Sequence, residues 1–240
     1  MGKIYGVGLG PGEPDLMSVR ADRLVRNARF VAYFRKKGRP GQARRIVEGL
    51  LHPDVQECPM EYPVTTEIPF SDPRYNQVLA KFYAECAARL VAVSEGGDDV
   101  VVLCEGDPFF YGSFMHLHTR LAERAPVEVV PATTGMSGAW TAVGMPFTWG
   151  DDVLTVLMGT LPEAELQRRM AETDALVVMK IGRHLEKVCR ALKNAGKHGE
   201  AFLVEYATMP NQKVHALSDV DGDAVPYFSI ILVPGKGRRP

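Results

Sequence analysis

The sequence predicts an α/β protein of two domains, each a mixed sheet with flanking helices, the first of them mainly parallel. Three observations carry this. Apolar runs of strand length alternate with segments of helical period through the first half. Two of those runs stop on glycine-rich turns, Gly6–Gly12 and Glu105–Gly112. Beyond a Pro/Thr/Gly segment at 131–138, strand signals outnumber helical ones. That segment is the expected boundary, giving domains 1–131 and 132–240. With 240 residues, 46% of them hydrophobic, the chain can bury one large core or two modest ones.

Lys3–Leu9 reads as the first strand, followed by a helix with Ala21, Leu24, Val25 and Ala28 on one face. Arg29–Phe34 and Val55–Met60 read as strands. Pro73 opens a long helix whose stripe is Val78, Leu79, Phe82, Cys86, Leu90 and Val93. Val100–Cys104 is a strand apolar at every position, as a strand buried on both faces would be. A helix from Ser113 to Arg124 and the strand Val127–Val130 complete the first half. In the second, Val153–Met158, Ala175–Met179, Ala201–Glu205, Lys213–Ala216 and Tyr227–Val233 read as strands, and Pro162–Ala171 and His184–Ala195 as helices.

Composition removes several classes of function. A formal net charge of −1 argues against bulk nucleic-acid binding. The charge is locally uneven, because Arg35, Lys36, Lys37, Arg39, Arg44 and Arg45 follow one another with no acid between them. That run is either a solvated loop or a patch for a polyanionic ligand. The four cysteines form no C-x-x-C pair, so neither a disulfide framework nor a zinc site is expected, and a reducing cytoplasm is. His116 and His118 lie two apart on a predicted helix and point to different faces, so no metal is expected. The first apolar run is short and broken by glycines, so no secretory signal is expected, and no apolar stretch approaches the ~20 residues that cross a bilayer.

The turns carry the chemistry. At the first, a dinucleotide fingerprint G-x-G-x-x-G would need its third glycine where Pro11 or Glu13 stands, so the spacing fails in both registers. Neither the Walker pattern nor G-x-S-x-G occurs. In the second, Gly106-Asp107-Pro108 ends a strand, lets backbone approach a ligand and places Phe109, Phe110 and Tyr111 beside it. Ligands of open α/β sheets bind past the carboxyl ends of strands. In the third, Pro131–Gly138, Thr133 and Thr134 offer hydroxyls and amides at a helix start. Together the turns suggest a backbone-lined site for a small organic cofactor.

These turns, in this order, resemble the tetrapyrrole methylase family, which uses S-adenosylmethionine. Val177-Val178-Met179-Lys180 and Glu205-Tyr206-Ala207-Thr208 also match in kind, so the resemblance spans nearly the whole chain. It implies two α/β domains with the cofactor held between them, a tetrapyrrole substrate and a homodimer. Carried over residue by residue, Pro11 borders the cleft. Glu105, Gly106 and Asp107 hold the cofactor largely through backbone groups, with Phe110 and Tyr111 beside it. Thr134 and Gly135 line the adenosine side, while Met179, Tyr206 and Ala207 close the pocket. One departure is Ala132, where the family has Pro-Gly at the crossover, which leaves open which threonine makes the contact. Tyr62-Pro63-Val64-Thr65-Thr66-Glu67, and Glu105 in place of a glycine, resemble the members that methylate C(20) of precorrin-2 or of its cobalt complex in cobalamin synthesis. A substrate with several carboxylates needs cations, for which Arg35, Lys36, Lys37 and Arg39 come first and Lys180, Arg183 and Lys213 second. The resemblance implies catalysis by positioning and names no single acid or base. Methylation of another carbon or of a modified histidine is the alternative within the family, and a tetrapyrrole carrier the alternative outside enzymes.

Overall fold

The computed structural model describes residues 1–64, 72–222 and 224–238. Its chain divides into two compact units, Met1–Thr134 and Gly135–Pro240.

In the first unit the strands are β1 (Ile4–Gly8), β2 (Phe30–Lys36), β3 (Gln56–Tyr62), β4 (Val100–Cys104) and β5 (Val127–Val130). They form one sheet in the order β3-β2-β4-β1-β5, and every pairing is parallel. The mixed sheet expected of both domains is therefore found only in the second. Pro59 is tolerated in β3 because that strand lies at the edge. The helices are α1 (Val19–Arg26), α2 (Gln42–Ile46), α3 (Pro73–Glu95) and α4 (Phe114–Leu121). Ser18 caps α1, its side chain accepting from the Ala21 N–H, and Asp72 caps α3 ahead of Pro73.

Strand alternation sends side chains to two cores. Ile4, Ala32, Val100, Val102 and Cys104 pack under α3 and α4, with Phe82, Leu90, Phe114 and Leu117. Val7, Val31, Val101 and Leu103 pack under α1 and α2, with Ala21, Val25 and Ile46. β4 is buried at all five positions because it has helices on both faces and strands on both edges.

The strand order creates a switch point. From β1 the chain crosses over β4 to reach β2, and from β4 it crosses over β1 to reach β5. Adjacent strands whose connections leave in opposite directions open a crevice at their carboxyl ends. Here those ends are Gly8 and Cys104, which register side by side.

In the second unit α5 (Gly135–Val143) precedes β6 (Leu154–Met158), α6 (Glu163–Ala171), β7 (Ala175–Met179), α7 (Leu185–Asn194), β8 (Phe202–Glu205), β9 (Lys213–Ala216) and β10 (Ser229–Val233). The sheet runs β6-β7-β10-β8-β9, parallel only between β6 and β7. One face packs on α6 and α7 through Leu166, Met170, Val188 and Leu192, and the other on α5 through Ala139. Each such fully buried leucine contributes roughly 2 kcal/mol.

Candidate active site

The three marker turns meet at the switch point. Gly106 donates its N–H to the Gly10 carbonyl at 2.8 Å, an isolated bridge joining the turn after β1 to the turn after β4. Leu9 donates to the Cys104 carbonyl at 2.9 Å. A Cβ on Gly8 would lie 2.6 Å from the Ala132 Cβ and 2.8 Å from the Gly106 carbonyl oxygen. Glycine is therefore required there by chain packed against chain.

Asp107 fastens the arrangement. Its Oδ1 accepts from the Phe109 N–H at 2.9 Å, and its Oδ2 accepts from the Ala132 N–H at 3.0 Å. The first bond shapes the turn and the second ties it to the segment after β5. Both carboxylate oxygens thus serve the architecture, which leaves backbone groups to meet a ligand. Ala132 and Gly8 carry this assembly and were not expected as site residues. An Asp between Gly and Pro signals a side-chain-closed turn, but nothing in an alanine marks a partner for it.

Around this cradle, Phe109 and Tyr111 are exposed and Phe110 is half-buried, its ring edge-on to Tyr111 at 4.9 Å. Phe109 stands edge-on to His118 at 4.8 Å. Tyr62, at the end of β3, hydrogen-bonds Ser113 just before α4. Thr65, Thr66 and Glu67 of the segment that singled out C(20) methylation lie outside the described residues. Pro11 follows the Gly10 bridge, and Thr134 ends the first unit, with Gly135 opening α5 in the second.

Among the described residues, four other than glycine have left-handed backbone: Tyr111, Lys180, Tyr206 and Thr208, with φ of 55°, 54°, 50° and 65°. Each costs on the order of 1 kcal/mol, and such strain clusters at functional sites. Three of the four were expected as site residues. Lys180 turns the chain after β7 and Tyr206 after β8, where its N–H donates to the Phe228 carbonyl at 2.7 Å. Met179 and Ala207 flank these turns and pack on the α5-side core.

Among the expected cations, Arg35 already has an acidic partner. It donates through Nε and Nη2 to Glu61 Oε1 at 3.0 and 2.7 Å. Arg44 likewise grips Glu57 in two-pronged fashion, and this with the Tyr33 hydroxyl holds the Glu57 carboxyl below its ordinary range. The acids are absent from the basic run itself and arrive on the parallel neighbour β3. Lys37 and Arg39 remain exposed, with no ion pair among the described residues, and Arg183 is exposed in the second unit. Lys213 stands on β9 opposite Glu205. A recess of about 380 Å³ near the β3 edge holds Arg35, Glu61, Glu85 and Arg89 and none of the three turns.

Glu105 follows Cys104 and lies on the α2 side of the sheet by strand alternation. Its Oε1 accepts from the Ala43 N–H at 3.2 Å. The residue is exposed at its surface, while the protein mass surrounding the carboxyl desolvates it and pushes it up to about 7; the Ala43 bond opposes this. Among the described residues no group of three or more His, Cys, Asp or Glu could hold a metal, and no helix is long and apolar enough to cross a membrane.

The sequence profile of the tetrapyrrole (corrin/porphyrin) methylases matches residues 3–220, and the chain belongs to that family. The resemblance carried by the three turns is thereby borne out. The chain is 51% identical over its whole length to a precorrin-2 C(20)-methyltransferase from Sinorhizobium sp, covering 98% of that protein. It is 45% identical, over 99% of its length, to cobalamin biosynthesis protein CobIJ of Mycobacterium tuberculosis, of which it spans 47%. A cobalt-precorrin-2 C(20)-methyltransferase of Salmonella typhimurium is 29% identical, with 97% and 96% of the two chains covered. Of solved structures, the cobalt precorrin-4 methyltransferase CbiF superposes with a TM-score of 0.74 at 23% identity, covering 97% and 94%. A uroporphyrin-III C-methyltransferase from Thermus thermophilus, complexed with S-adenosylhomocysteine, gives 0.67 at 23% identity, covering 97% and 92%.

Two outcomes follow from this geometry. Asp107→Ala strands two backbone N–H groups and should lower unfolding free energy by roughly 2–4 kcal/mol, read by urea denaturation; an unchanged midpoint would show that the clip is dispensable. Glu105 has a folded-state value raised above the ordinary 4.5. Its stabilising contribution is fully present below about 4.5 and lost as pH rises through about 7. Stability measured against Glu105→Gln should therefore fall across that window, and a flat difference would refute the shift.

Proposed function

We propose that this chain transfers the methyl group of S-adenosylmethionine to C(20) of precorrin-2 in cobalamin synthesis. The observation that carries this is the 51% identity, end to end, with the Sinorhizobium precorrin-2 C(20)-methyltransferase. The cradle suits such a cofactor, since it offers backbone groups at Gly106 and Asp107 and aromatic surface at Phe109 and Tyr111, with no cationic side chain in the second turn.

When bound, the cofactor supplies an electrophilic methyl group on a sulfonium. The chain's part is to hold, align and keep dry. In this proposal Pro11, Glu105, Gly106, Asp107, Phe110, Tyr111 and Thr134 of the first unit bind the cofactor, as do Gly135, Met179, Tyr206 and Ala207 of the second. Asp107 acts through the two N–H groups it fixes. Lys36, Lys37, Arg39, Lys180, Arg183 and Lys213 meet the substrate carboxylates, while Arg35 braces β2 against β3 through Glu61. Holding the reacting atoms ~3 Å apart and aligned can supply several kcal/mol, and excluding water prevents hydrolysis. We assign the two units as N- and C-terminal domains of a cytoplasmic homodimer. Four free cysteines, three of them buried, support the reducing compartment, and the family resemblance supports the dimer.

Calorimetric titration with S-adenosylhomocysteine, then anaerobic incubation with S-adenosylmethionine and precorrin-2, tests the proposal. Expected are micromolar binding, a mass gain of one methyl and a product whose NMR places it at C(20). Substrate affinity should weaken with salt, and Lys37→Ala with Arg39→Ala should weaken it about tenfold, ~1.4 kcal/mol. Cofactor binding with methyl gain only on the cobalt complex would move the acceptor. Macrocycle binding without cofactor binding would make the chain a carrier.

A further inference from the structure

We propose that the Glu105 carboxylate takes up the proton that the acceptor carbon releases when it is methylated, a role that rests on the methyltransferase reading. A meso carbon of a tetrapyrrole carries one hydrogen. The π electrons of the macrocycle form the new C–C bond as the S–C bond breaks, its pair passing to sulfur to leave a neutral thioether. One proton must then leave the macrocycle to restore its conjugation. A carboxylate accepts it, becomes a neutral acid and returns it to water.

Among the titratable groups at the carboxyl end of β4, Cys104, Glu105 and Asp107, the geometry points to Glu105. It is the residue next to the Gly106 bridge, at the carboxyl end of the strand that forms the switch point. Its side chain is anchored by one oxygen only, Oε1 on the Ala43 N–H, and Oε2 makes no hydrogen bond among the described residues. It reaches solvent, so a proton can be relayed away. Asp107 is unavailable, since two N–H groups occupy its oxygens. The Cys104 thiol is unavailable, since burial drives it far above its ordinary range. The charged groups on the surrounding elements are Arg35 and Lys36 at the end of β2, Arg44 and Arg45 on α2, Glu13 beyond the first turn and Asp107, with Arg35 bound to Glu61. Arg44 is bound to Glu57, and desolvation rather than any of these charges governs Glu105. An acceptor is most effective when its proton affinity lies near the working pH, and the carboxyl held at about 7 meets that condition.

The test pairs an apoprotein readout with kinetics. ¹³C-glutamate NMR should show one carboxyl titrating near 7 in the wild type, absent from Glu105→Gln. In the same variant S-adenosylhomocysteine affinity should stay within about twofold, because Glu105 meets the cofactor through backbone. Turnover should fall roughly 100-fold and lose its rise with pH through 7. Glu105→Asp should recover part of the rate, and it carries the same comparison if Glu105→Gln does not fold. Turnover within threefold and an unaltered pH profile would overturn the proposal while leaving the methyltransferase standing. Loss of S-adenosylhomocysteine binding would overturn it in favour of a positioning role. A wild type that transfers no methyl to any acceptor would remove both readings.

Discussion

The cradle depends on one carboxylate. Asp107 accepts from Phe109 within its own turn and from Ala132 beyond β5, and through these two bonds it joins the turn after β4 to the crossover segment. The Gly10–Gly106 bridge adds the turn after β1. Three segments far apart in sequence are thus fixed within bonding distance at the point where the sheet changes winding direction. Charge-assisted bonds to backbone N–H are about twice as strong as neutral ones, so this carboxylate suits a joint that must hold without a side-chain core. Pro108 keeps the turn from extending the strand, and Gly8 permits the close approach of Ala132.

The same constraint separates the roles of two neighbouring carboxylates. Asp107 spends both oxygens on architecture. Glu105, two residues earlier, spends one on the first turn of α2 and keeps one open. In the second unit the device is different. The left-handed residues Lys180, Tyr206 and Thr208 end β7 and β8 abruptly, and their strain is sustained by a core of fully buried residues such as Leu176, Val177 and Leu203.

Much of the fold was legible because periodicity and punctuation agreed. Val100–Cys104, apolar throughout, reads as a buried strand, and Pro73 marked the start of α3. The three turns were legible as glycine-rich strand ends, and their order pointed to the family. What was not legible was non-local. The basic run after Phe34 looked unpaired because Glu57 and Glu61 are brought beside it only by the parallel pairing of β2 with β3. Ala132 carries no sign of the bond it donates. Backbone inversion at Tyr111, Lys180 and Tyr206 is hidden because those residue types ordinarily avoid it. Strand order is likewise a property of the assembled sheet, so the switch point could be expected only in kind.

We propose that the three turns act as one cofactor cradle. Amide hydrogen exchange with and without S-adenosylhomocysteine tests it most directly. Ligand-induced protection in the first unit should concentrate at 8–12, 105–112 and 131–134 together, and Asp107→Ala should weaken all three at once. Protection confined to one turn, or centred on the recess at the β3 edge, would contradict it.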